Sequence, residues 1–218
     1  MSRIIKPPVA DDLDYPTTDG KPMAETDIHI VLMMALIQTL RALFADQPRV
    51  YVSGNILVFY ERGNKRKHVS PDVFMVRGVP NHLRDNYLVW RERKAPQVVI
   101  ELTSRTTRRE DVGTKFALYR DVLKAKVYFL FDPGAEYLSP PLQGFRLRAG
   151  SYVPIRPVAG RLPSRVLGLH LERDGNQLRL WNRATRQRLL TPEEARDQAE
   201  AEVERLRREI EELRRRLP

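Results

Sequence analysis

Residues 97–131 constrain the fold more tightly than any other part of the chain. Val98, Val99, Ile100 and Leu102 give residues 97–102 the nearly unbroken apolar content of a buried strand. Residues 126–131 read the same way and stop at Asp132-Pro133. Between them, Phe116, Leu118, Tyr119 and Val122 supply the apolar positions of a helix that starts at Ser104 or Thr107 and ends near Val122. A strand, a helix and a strand within about 35 residues predict a right-handed crossover joining two parallel strands. The expected class is α/β, or α+β with a mixed sheet.

The flanking segments fit around that unit. Residues 1–22 read as an irregular arm broken by Pro7, Pro8, Pro16, Gly20 and Pro22, and residues 23–190 as one domain. A helix is predicted over 25–45, capped by Thr26 or Asp27. Ile28, Val31, Leu32, Ala35, Leu36, Thr39, Leu40 and Leu43 would form its buried face. Residues 50–60 read as a strand kinked at Gly54-Asn55, residues 72–76 as a second strand, and residues 87–90 as a short element at the core edge. Beyond Pro133 come only short strands, separated by Gly150-Ser151 and Asp174-Gly175-Asn176, which read as hairpins extending or flanking the sheet.

The tail, 191–218, is of another kind. Thr191-Pro192-Glu193-Glu194 has the form of a capped helix start with proline at the first helical position. Ala199, Val203, Leu206, Ile210, Leu213 and Leu217 then follow a heptad seam among charged residues. Such an amphipathic helix either packs on its own domain or pairs with another copy, as a short coiled coil.

The chain carries 38 basic and 28 acidic residues, a formal charge of +10. The tail holds nine acids against seven arginines, so it is −2 and the body is +12. That surplus favours a polyanionic partner such as nucleic acid. There is no cysteine, which excludes disulfides, thiolate metal sites and a cysteine nucleophile. The four histidines form no close pair, so a histidine-rich zinc centre is not expected. No apolar core follows Arg3 and no segment is long and apolar enough to span a bilayer, so a cytoplasmic protein without membrane contact is the expectation.

Two acids stand out against this background. Asp72 opens the strand after Ser70-Pro71, and Glu101 sits at the end of the apolar run before Leu102. Carboxylates at the ends of neighbouring strands can share Mg²⁺ or Mn²⁺, which take hard oxygen ligands. The backbone carbonyl of Leu102 is a further candidate ligand, and Glu25 another if the first helix crosses the sheet end. Lys115, four residues beyond Asp111 on the predicted helix, is the candidate for orienting water or neutralising charge. Plainer roles stand beside these. Asp72 would cap backbone donors, Glu101 would form a structural salt bridge, Lys115 would pair with Asp111, and Glu25 would be a first-turn acid. His29 reads as packed or capped rather than as a ligand. Lys65, Arg66 and Lys67 before Asp72, and Arg105, Arg108 and Arg109 after Glu101, are expected to flank the same sheet end and hold a nucleic-acid backbone. No motif for base readout is visible.

These pieces together resemble a known family. Gly20 to Asp27, Tyr51-Val52-Ser53-Gly54-Asn55, Ser70-Pro71-Asp72, Val99-Ile100-Glu101-Leu102-Thr103-Ser104, Thr106 to Asp111 with Lys115 and Tyr119, Tyr128 to Pro133 and Pro140 to Gly144 are similar to the Uma2 family of endonucleases, within the PD-(D/E)XK nuclease superfamily. The resemblance covers roughly residues 15–195. It implies a restriction-endonuclease-like core, divalent-metal use and a homodimer. It makes Asp72 the first acid of the motif and Glu101 the second. The superfamily motif carries lysine two residues after the second acid, where this chain has Thr103, and Lys115 on the following helix is the candidate for reaching the same place. The expected function is metal-dependent phosphodiester hydrolysis of nucleic acid, with DNA as the substrate. The alternative is a non-catalytic nucleic-acid-binding or protein-interaction module on the same fold.

Overall fold

A computed structural model of the chain describes residues 15–18, 20 and 26–216. Most of the expected arm over 1–22 falls outside the described residues, as do Glu25 and Leu217. In chain order the elements are α1 (Asp27–Leu43), β1 (Val50–Ser53), β2 (Val58–Phe59), β3 (His68–Val69), β4 (Val73–Arg77), β5 (Tyr87–Leu88), α2 (Val89–Glu92) and β6 (Val98–Leu102). Then come α3 (Arg108–Val112), α4 (Thr114–Ala117), a π-helical turn over Leu118–Val122, and β7 (Val127–Phe131). The remainder is β8 (Leu142–Arg148), β9 (Ser151–Pro154), β10 (Leu162–Ser164), β11 (Leu169–Asp174), β12 (Gln177–Asn182), β13 (Gln187–Arg188) and α5 (Pro192–Arg216).

The central sheet has the order β1-β4-β6-β7-β8-β9. Its one parallel pair is β6 with β7, joined by the helical crossover, and its other neighbours are antiparallel. Strands β10 to β13 form a second sheet, and β3-β2-β5 a third. The hairpins after β7 therefore both extend the central sheet and flank it. No helix among the described residues is long and apolar enough to cross a membrane.

Alternation along the strands divides the core in two. Val98, Ile100 and Leu102 point with Val73, Met75 and Phe129 towards α1 and the second sheet. Val99 points with Phe74, Tyr128 and Leu130 to the opposite face, against Tyr119. Helix α1 buries His29, Leu32, Met33, Leu36 and Leu40. Ile28 and Val31, expected in the buried face, are exposed instead, together with Met34. The buried stripe is narrower than the apolar pattern because one flank of α1 meets neither sheet.

The 50–60 segment is two strands rather than one kinked strand, and they belong to different sheets. Gly54 is the cause. A Cβ there would sit 1.9 Å from the Asp72 carbonyl oxygen and 2.8 Å from Ile37 Cδ1, while the Asn55 N–H donates to the Pro71 carbonyl at 2.8 Å. The chain breaks so that the Pro71-Asp72 backbone can press against it. Gly54→Ala should therefore displace Asp72 and lower stability by about 1–3 kcal/mol, the usual cost of overpacking. Urea unfolding of the two proteins checks this.

The crossover helix is likewise not continuous. Gly113, at φ −117° and ψ −94°, separates α3 from α4, and the π turn closes with the Leu123 N–H donating to the Leu118 carbonyl at 3.0 Å. Such turns insert one residue into a helix and are frequent at functional sites.

Candidate active site

The register of β4 against β6 pairs Val73 with Ile100 and Phe74 with Val99. One step before β4, Asp72 lies at the strand end beside Glu101, whose side chain leaves β6 on the side that carries Tyr119. Contacts follow from this. The Asp72 N–H lies 3.4 Å from Glu101 Oε2, and the Leu102 N–H donates to Asp72 Oδ2 at 2.7 Å.

The broken helix supplies the groups that meet these acids. Lys115 Nζ donates to Glu101 Oε2 at 3.0 Å and lies 3.1 Å from Asp111 Oδ1. Tyr119, in the π turn, donates its hydroxyl to Glu101 Oε1 at 2.6 Å. Thr107 donates to Asp111 Oδ2 at 2.7 Å. From the other side, His29 Nε2 is 3.2 Å from Asp72 Oδ1. The Thr26 side chain caps α1 by accepting from the His29 N–H at 3.4 Å, which seats the ring at the helix start. Glu101 is fully buried, while the Asp72 side chain keeps 15% of its surface, so the site opens at Asp72.

Three carboxylates thus face one ammonium, and the protonation preferences follow. Burial pushes the Glu101 carboxyl well above its ordinary range, Lys115 opposes this, and the neighbouring Asp72 and Asp111 add to it. Burial likewise raises Asp111 against the pull of Lys115. Asp72 goes the other way. Burial alone would raise it, but the His29 hydrogen bond, the Lys115 charge and the Leu102 N–H together hold it below the usual value. Lys115 is disfavoured as a cation by burial, yet Glu101, Asp111 and Asp72 outweigh that and keep it charged.

The structure therefore brings together Asp72, Glu101 and Lys115, with the Leu102 backbone beside them. Glu25 lies outside the described residues. Arg105, Arg108 and Arg109 follow β6 directly, so they stand at the Glu101 end of the sheet. With Thr106, Val112 and Tyr137 they line a groove of about 710 Å³. Lys65, Arg66 and Lys67 lie on the turn between β2 and β3, and the chain leaves β3 towards Asp72.

His29, expected as a packed or capped residue, also meets Asp72 with its ring. Tyr119, expected as an apolar position of the crossover helix, also turns its hydroxyl to Glu101, and Thr107, Asp111, Lys115 and Tyr119 recur every fourth residue, a helical signal. Among the described residues, no group of three or more His, Asp or Glu side chains is disposed to hold a metal ion.

Comparison with known proteins agrees with this architecture. A family model, "Uma2: Putative restriction endonuclease", matches residues 10–191. No curated protein matches the chain. Among solved structures, the chain is similar to one described as "a putative nuclease belonging to DUF820 from Anabaena variabilis". The TM-score is 0.50 at 16% identity, over 76% of this chain and 95% of that one, a likeness that bears on the fold. With a restriction-endonuclease-like sheet and a family match spanning most of its length, the chain belongs to the Uma2 family.

Proposed function

We propose that this protein hydrolyses phosphodiester bonds of nucleic acid, with DNA as the substrate and Mg²⁺ or Mn²⁺ as the cofactor. The observation that carries this is the facing of Asp72 and Glu101 across β4 and β6, with Lys115 against Glu101.

The residues present fit a hard divalent cation. Asp72 and Glu101 offer oxygen donors, and carboxylates outnumber the ammonium three to one. The Leu102 carbonyl leaves β6 on the same edge as its N–H, the edge that meets Asp72. The buried Thr103 Oγ1 has no hydrogen-bond partner among the described residues, at the position where the superfamily carries lysine. Asp72, Glu101 and the Leu102 carbonyl would hold the ion. When bound, it would polarise the phosphate and favour deprotonation of an attacking water.

The chain's own groups do the rest. Lys115 stays charged and can neutralise the phosphate as a fifth oxygen approaches phosphorus. Tyr119 and Asp111 fix Glu101 and Lys115 respectively, and His29 fixes Asp72, so the constellation is held before substrate arrives. Arg105, Arg108 and Arg109 would grip flanking phosphates through charge, without reading sequence.

One observation favours a second reading, in which the fold binds nucleic acid without cutting it. Asp72, Glu101, Asp111 and Lys115 satisfy one another, as a purely structural network would. Calorimetric titration with Mn²⁺ decides. Wild type should bind the ion, and both Asp72→Ala and Glu101→Ala should abolish binding. Equal heats in all three proteins would remove the assigned site. Salt-dependent DNA binding without Mg²⁺-dependent cleavage would select the second reading.

A further inference from the structure

Helix α5 carries its apolar seam into solvent. Val203, Leu206, Ile210 and Leu213 are 47%, 42%, 50% and 52% exposed, so the helix does not cover them with its own domain. It is nonetheless firmly started. The Glu194 N–H donates to Thr191 Oγ1 at 3.2 Å, the Thr191 N–H donates to Glu194 Oε2 at 2.8 Å, and Arg179 holds the same oxygen at 2.7 Å. That reciprocal cap anchors the first turn to β12 and leaves the rest projecting.

We propose that the occupant of this seam is α5 of a second copy of the chain, parallel and in register. Val203 and Ile210 take the a positions, and Ala199, Leu206 and Leu213 the d positions. In a parallel coil, β-branched residues at a with leucine at d favour two strands, and the e and g charges set the orientation. The flanking charges agree. Glu202 and Glu209 fall at g, and Arg207 and Arg214 at e. In a parallel pair each g residue meets the e residue five positions on in the other helix. This sets Glu202 beside Arg207 and Glu209 beside Arg214 of the second copy, twice over by symmetry.

The alternative orientation is less well matched. An antiparallel pair that stacks Val203 on Leu213 and Leu206 on Ile210 sets Arg207 against Arg207 and Glu209 against Glu209 at its centre. Within α5, Arg205 holds both Glu202 and Glu209, so a second helix would share those two acids. Arg205, Arg208 and Arg215 engage acids of their own helix, but Arg207 and Arg214 engage none among the described residues.

Parallel pairing carries both cores to one end of the coil. Two sites could then address one duplex, a consequence that rests on the nuclease reading, whereas the pairing itself does not.

The absence of cysteine makes the test direct. Full-length Ala199→Cys and Leu213→Cys should each cross-link to their own copy under mild oxidation, because parallel register brings identical d positions together. Sedimentation equilibrium of the reduced proteins should give the mass of two chains. Arg207→Glu with Arg214→Glu should weaken the pair roughly tenfold, and adding Glu202→Arg with Glu209→Arg should restore it. Leu206→Asp with Ile210→Asp should give single chains whose body melts as before. A single-chain mass for wild type at every concentration overturns the proposal. So does failure of both cysteines to cross-link, or a pair that survives the two aspartates. Loss of DNA cleavage alone leaves the pairing untouched, and loss of pairing leaves Asp72 and Glu101 untouched.

Discussion

Lys115→Met is expected to destabilise the protein by about 3–5 kcal/mol, the range found when one partner of a buried ion pair is removed. The side chain retains 15% of its surface and meets two acids, Glu101 and Asp111, that are buried completely. Methionine fills a similar volume but leaves both without their cation. The loss should depend on pH. Glu101 and Asp111 already stand above their ordinary values through burial, and Lys115 is the group that pulls each of them down. Without it they rise further. A carboxyl raised in the folded state binds more protons there than in the unfolded chain, so stability falls as pH climbs from the unfolded value through the folded one. Lys115→Met should therefore be closer to wild type near pH 5 than near pH 8. Urea unfolding at the two pH values measures this. A uniform deficit would mean that Lys115 contributes packing rather than charge.

That prediction rests on a network only partly readable from the sequence. The strand, helix and strand of residues 97–131 announced the β6–β7 parallel pair, because uninterrupted apolar strands need helical cover. Asp72 and Glu101 stood out because acids adjoining buried runs are costly without a task. The four-residue spacing of Asp111 and Lys115 announced a shared helical face. What stayed hidden depends on distant parts of the chain. The break at Gly113 and the π turn leave no periodic signal in the sequence, and Tyr119 meets Glu101 from that turn. His29 reaches Asp72 because α1 begins at the sheet end, a matter of packing rather than period. The exposed flank of α1 had the same hydropathy as its buried stripe, so periodicity alone could not separate them.

On the proposed nuclease reading, Asp72→Asn should reduce Mg²⁺-dependent cleavage of DNA by at least a hundredfold while leaving the fold in place. Loss of even an indirect partner of a metal ligand typically costs 10–100-fold, and Asp72 is proposed as a ligand itself. The change is nearly isosteric. The asparagine oxygen can still accept from the Leu102 N–H, and its amide can donate to the His29 ring. The backbone contact with Gly54 is also unaltered. Activity should therefore fall without a matching fall in melting temperature. Glu101→Gln is the informative contrast. Both Glu101 oxygens accept hydrogen bonds, from Tyr119 and from Lys115, so the new amide must turn a donor towards one of them. That variant should lose stability as well as cleavage. If Asp72→Asn retained wild-type cleavage, Asp72 would be a strand-end cap for Leu102 and nothing more. If both variants lost only stability, the facing acids would serve the fold rather than a cation.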